Sequence, residues 1–176
     1  MIKTLLNAFL MYISYVFMQY YFTNGYVIAL LPTLFIIHWY MKYEKDKIKG
    51  IEFIRYLILY FIGLFSMKFL PHNTVVSQTE SINGYLIISA VIIAPLWEEW
   101  IFRKYLYHDL IPYIGEIGAS ILSISLFILI HTPSNVIDII RYLIPSILLL
   151  YGYRKFNYNL KVPVITHMLN NLLSLI

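Results

Sequence analysis

Ile93-Ala94-Pro95-Leu96-Trp97-Glu98-Glu99-Trp100-Ile101-Phe102-Arg103 decides how this chain is read. Two adjacent glutamates and an arginine close a hydrophobic run. An ionisable group in or near hydrocarbon costs roughly 2.5 to 3.5 kcal/mol on insertion scales, so such groups face a partner or a wet cavity. Adjacent helical residues point about 100° apart, so the two carboxylates take different jobs. Glu99 and Arg103, four apart, are in the favourable order for an ion pair. Glu98 is left to face elsewhere, and a carboxylate in an apolar site is suited to act as a general base. Pro95 removes a backbone hydrogen bond and is expected to kink this helix and help open a cavity.

Around this stretch the chain is apolar throughout. Its 176 residues are 60% hydrophobic and 12% charged, with a mean hydropathy of +0.72. That composition specifies an all-α polytopic membrane bundle and a single membrane domain over residues 1–176. About seven spans fit, at roughly 4–22, 26–41, 51–70, 84–103, 114–131, 136–152 and 162–176. No cysteine is present, which excludes disulfides, thiolate nucleophiles and cysteine-based zinc sites. The net charge of +4 is a matter of location and does not point to nucleic acid.

Lysines and arginines fix the expected orientation. Lys3, Lys42, Lys45, Lys47, Lys49, Arg103, Lys104, Arg154, Lys155 and Lys161 fall on one side, while the loop from Pro71 to Asn83 has no Lys or Arg. The positive-inside rule then puts the N-terminus in the cytoplasm and the C-terminus outside. No cleavable signal peptide is expected, since the first apolar run lacks a small-residue cleavage pattern. The aromatics, with 17 tyrosines, read as interfacial anchors without chemistry. Abundant Ile, Tyr, Lys and Asn hint at an AT-rich bacterial genome.

Two later segments carry polar residues. His131 ends an apolar run four residues after Phe127, and His167 shares a helix face with Asn171. Singly these are interface residues or interhelical hydrogen-bond donors. Together with Glu98 they fit a water-splitting site, which needs a base for the water and donors for the developing oxyanion. Zinc bound by Glu98, His131 and His167 is one reading and a metal-free glutamate mechanism the other; no His-Glu-x-x-His helix exists.

Glu98-Glu99-x-x-x-Arg103, Phe127-x-x-x-His131 and His167-x-x-x-Asn171, in this order on separate segments, resemble the CAAX-protease and bacteriocin-processing intramembrane proteases (CPBP, or Abi). That family includes the type II prenyl-protein endopeptidases. The resemblance covers residues 84–176 and leaves 1–83 as unassigned N-terminal spans. It implies a membrane endopeptidase acting on a membrane-associated peptide or protein. Glu98 and His131 would activate the water, His167 and Asn171 would stabilise the oxyanion, and Glu99 and Arg103 would support them. Peptide maturation and bacteriocin self-immunity are roles of bacterial members, and prenylated substrates are not expected in a bacterium. A non-catalytic immunity or scaffold protein, binding a peptide or a transporter, is the alternative. The sequence leaves the oligomeric state open.

Depth sets one further expectation. At 1.5 Å per residue through a core of about 30 Å, Glu98 lies about 9 Å and His167 about 7.5 Å from the cytoplasmic side. A straight helix from Pro112 would carry His131 about 28 Å from that side. Residues 104–118 are therefore expected to dip into the membrane as a short helix and loop, so that the next helix starts deep, near Ala119.

Overall fold

The computed structural model describes residues 1–25, 31–43, 48–67 and 84–175. Lys45, Lys47 and the 71–83 loop, part of the charge argument above, lie outside them. The described residues form helices α1 (Ile2–Thr23), α2 (Leu31–Tyr43), α3 (Gly50–Met67), α4 (Gly84–Ile88), α5 (Ala94–Glu99), α6 (Ile111–Ile130), α7 (Val136–Lys155) and α8 (Lys161–Leu173). No strand occurs among them.

The bundle exposes many large apolar side chains and buries a set of polar ones within an apolar core. On α1, Phe9, Phe17 and Ile2 are exposed while Ala8, Tyr15 and Met18 are buried. On α6, Ile117 and Ile121 face outward while Ala119 and Ser123 are fully buried. Glu98, Glu99, Arg103, Ser146, Thr166 and His167 are all interior. Polar groups inside and large apolar groups outside suit hydrocarbon as solvent, where close packing and interhelical hydrogen bonds hold helices together. Among the described residues, two helical stretches are long and apolar enough to cross a membrane, Gly84–Ile130 and Val136–Lys155.

The quoted stretch is the centre of the molecule. Every residue from Ile93 to Arg103 is buried, the two glutamates and the arginine included. α5 packs against α1, α2 and α8, and the turn that follows it packs against α1 and α6. Trp97 donates from Nε1 to Thr33 Oγ1 at 3.1 Å and stacks on Tyr15 with ring centroids 6.0 Å apart.

Pro95 acts here through hydrogen-bond register. α5 is flanked by π-helical turns at Ser89–Ile93 and Trp100–Tyr105. In the first of these the Ala94 N–H reaches back five residues to Ser89 O. Continuing that register would pair residue 95 with Ala90 O, but proline has no N–H. The Ala90 carbonyl is instead capped by Asn171 Nδ2 at 2.9 Å. The π register and the proline together leave one backbone acceptor for a side chain of α8.

The 104–118 segment is mostly helical. The π turn runs to Tyr105, a 3₁₀ turn spans His108–Leu110, and α6 starts at Ile111. The break comes at Gly115, whose φ of 71° and ψ of 168° lie outside the helical region. A non-glycine residue is strained at such a φ. The break therefore precedes the expected start at Ala119 by four residues. At this end of the bundle Lys104 pairs with Asp109 at 2.5 Å, Arg154 pairs with Glu116, and Tyr107 donates to Glu116 at 3.1 Å. The Arg154–Glu116 pair ties the start of α6 to the end of α7.

At the opposite end, Asn135 caps α7. Its Oδ1 accepts from the Asp138 N–H at 3.0 Å and its Nδ2 donates to Asp138 Oδ2 at 2.9 Å, a reciprocal capping arrangement. Asp138 also faces Arg141 at 3.9 Å, the pairing expected from their spacing. α3 seats on α7 where Gly152 leaves room for Tyr56, whose hydroxyl donates to Leu148 O at 3.1 Å.

Candidate active site

Arg103 organises one flank of the site. It is wholly buried, and its Nε lies 2.9 Å from Glu99 Oε2, an ion pair without the alignment of a linear hydrogen bond. Its other nitrogens reach Ser123 Oγ at 3.2 Å, Ser146 Oγ at 3.3 Å and Ser146 O at 3.4 Å. The guanidinium carbon sits 5.2 Å from the centroid of the Phe127 ring. One side chain thus gathers α5, α6 and α7. A planar fork with several fixed donors is what makes arginine suited to such a place.

Glu99 passes this order to α8. Its Oε1 lies 2.9 Å from His167 Nδ1. With Glu99 held as the counterion of Arg103, its oxygen accepts and Nδ1 donates. The imidazole is thereby oriented, and its Nε2 points to the neighbouring acid, 3.9 Å from Glu98 Oε2. A single histidine therefore lies against both glutamates, one at each ring nitrogen.

Glu98 has two unlike oxygens. Oε1 accepts from Tyr15 Oη at 3.2 Å. Oε2 is buried and has no hydrogen-bond partner among the described residues. A buried acceptor without a partner costs about 1–3 kcal/mol, more when charged, so such an oxygen calls for a water or a substrate group.

His131 is brought to the same neighbourhood. Its Nδ1 lies 2.7 Å from Phe127 O, which can only accept, so Nδ1 donates and Nε2 carries the lone pair. Its ring stands 4.7 Å from that of Phe127, and the Phe127 ring stands 5.9 Å from that of His167. Phe127 is itself buried and packs against both imidazoles. Tyr142 covers the other face of His131 at 4.4 Å. His131 is within electrostatic reach of Glu98.

Asn171 is engaged differently from the others. Its amide donates to Ala90 O, and its Oδ1 accepts from Asn170 Nδ2 at 3.1 Å. One of its two N–H groups is thus committed to the backbone. As a metal centre the set does not close: among the described residues, no three His, Asp or Glu side chains converge as ligands for an ion.

Three participants escaped the sequence reading. Neither Ser123 nor Ser146 is among the residues singled out from the sequence, and Tyr15 is one of 17 tyrosines read as interfacial. Ser146 follows Pro145 inside a helix, a polar residue beside a helix-perturbing one, which is a usable signal. Tyr15 had none.

No curated protein and no solved structure matches this chain. The family described as type II CAAX prenyl endopeptidase Rce1-like matches residues 81–173, a stretch that holds α4 to α8 and every residue of the site except those of α1. On that match, and with polar groups gathered inside an apolar-faced helical bundle, the chain belongs to the Rce1-like family of CAAX-type membrane endopeptidases.

Proposed function

We propose that the protein is an intramembrane endopeptidase in which Glu98 is the base that activates water. The observation that carries this reading is the free Glu98 Oε2, buried and 3.9 Å from His167 Nε2. A water between these atoms sits within hydrogen-bond reach of both. Glu98 takes its proton, the hydroxide attacks the scissile carbonyl carbon, and the tetrahedral oxyanion forms. The proton then passes from Glu98 to the leaving amine as the C–N bond breaks.

His131, with Nδ1 tied to its own helix, offers Nε2 to the same water. His167 and the uncommitted N–H of Asn171 stabilise the oxyanion; for His167 this requires both ring nitrogens protonated, because Nδ1–H is already given to Glu99. Glu99 and Arg103 hold His167 in place without touching substrate.

The substrate class is a peptide or protein tail held at the membrane. The molecule is read as a multi-pass bundle of about seven spans with its N-terminus in the cytoplasm, in a bacterial cell membrane. Maturation of a peptide or self-immunity against a bacteriocin are the roles in keeping with that setting.

The test uses the full chain in lipid nanodiscs and two internally quenched peptides ending in Cys-aliphatic-aliphatic-X, one farnesylated and one not. Cleavage is expected for the wild type and is expected to fall by about 10² to 10⁴ in Glu98→Gln, the range for a general base. Cleavage by a well-folded Glu98→Gln at the wild-type rate would refute the assignment.

A further inference from the structure

Glu98 Oε1 is held by a chain of hydrogen bonds that passes through α1, outside the family-matched residues. Ser89 Oγ donates to Gln19 Oε1. Gln19 Nε2 donates to Tyr15 Oη at 2.8 Å, and Tyr15 Oη donates to Glu98 Oε1 at 3.2 Å. A phenol has one proton to give. With Gln19 presenting an N–H to the phenol oxygen, that proton is directed at the carboxylate. The opposite amide orientation would draw the phenol proton to Gln19. Tyr15 is itself fixed by its stack on Trp97 and is 8% exposed.

The effect on Glu98 is geometric. A carboxylate can turn about its last bond and offer either oxygen. A donor on Oε1 stops that rotation and leaves Oε2 as the one oxygen facing His167. We propose that Tyr15, set by Gln19, is a positioning residue of the active site, supplied by α1 to hold Glu98 so that Oε2 alone meets the attacking water. This rests on the protease reading above and adds to it a part of the chain that the family match at 81–173 does not reach.

Two readouts test it on the full chain in nanodiscs. Infrared difference spectra identify the Glu98 carboxyl band as the band lost in Glu98→Gln. Tyr15→Phe keeps the stack on Trp97 and removes only the hydroxyl, so that band is expected to move. Gln19→Leu is expected to move it in the same direction by less, and serves if Tyr15→Phe fails to fold. With whichever of the two peptides the wild type cleaves faster, kcat is expected to fall about 10- to 100-fold in Tyr15→Phe, as for the loss of a hydrogen bond to a charged group, with KM unchanged. A band that stays in place in both variants overturns the inference. So does full kcat in Tyr15→Phe beside an inactive Glu98→Gln, which leaves the protease reading standing. An active Glu98→Gln overturns both.

Discussion

Replacing Arg103 with methionine tests whether the buried ion pair organises the site. The charge centres of Arg103 and Glu99 are about 4 Å apart, and at an effective dielectric of 20 that attraction is about 4 kcal/mol. Removing one partner of a buried pair costs about 3–5 kcal/mol, because the other charge is left stranded. Arg103→Met also frees the hydroxyls of Ser123 and Ser146, of which Ser123 Oγ already donates to Phe102 O at 2.8 Å. Glu99→Gln strands the guanidinium in turn and weakens the hold on His167. The double variant strands neither charge, so its loss is expected to fall well short of the sum of the single losses. The measurement is a double-mutant cycle on reversible unfolding in bicelles. Interhelical hydrogen bonds in membranes average about 0.6 kcal/mol in such cycles and reach about 1.7. A coupling of about 3 kcal/mol is expected here, outside that range. A coupling at or below the hydrogen-bond value would show that the pair is not desolvated as described, and the ordering of His167 through Glu99 would lose its basis.

Other outcomes follow from single contacts. A Cβ at Gly152 would overlap the Tyr56 ring and hydroxyl, so Gly152→Ala is expected to cost about 1–3 kcal/mol in the same unfolding assay. Gly84, where an added methyl would meet nothing within 4 Å, is the control expected to be neutral or better. Asn171→Leu leaves the Ala90 carbonyl without its donor and is expected to cost about 1–3 kcal/mol of stability as well as activity; a variant that loses activity alone would assign Asn171 wholly to the oxyanion. His131→Gln is expected to lower peptide cleavage by about 10² or more at unchanged unfolding free energy, and full activity would remove His131 from the mechanism. Cleavage is expected to survive o-phenanthroline, since the acid and imidazoles do not converge on one ion; loss restored by added zinc would show that the set closes around metal.

The helical class and the position of the central helix were legible because apolar runs broken by charge are a strong signal at this composition. The i,i+4 spacing of Glu99 and Arg103 was enough to pair them, since one helix face decides it. The place of His131 was harder to read: rise per residue along a straight α6 put it far from Glu98, and the non-helical Gly115 lies inside that count. Asn171 was read from spacing as an oxyanion donor, but its partner depends on a π turn and a proline removing one N–H from the opposite helix, which no period in the sequence announces. Tyr15 was illegible for another reason. A hydrogen bond across 83 positions leaves no local pattern, and a tyrosine in an apolar helix looks the same whether it meets lipid headgroups or an acid.

The Glu99–Arg103 pair lies within one continuous helical run, which bears on how this molecule is made. A nascent segment entering the bilayer with two acids and a base would carry three separate penalties of roughly 2.5 to 3.5 kcal/mol each if the groups were isolated. Because the guanidinium is one turn beyond its acid, the two can neutralise each other before any other helix has arrived, and only Glu98 enters without a counterion on its own segment. The residue proposed as the base is thus the one whose accommodation must wait for assembly, when α1 and α8 close over it.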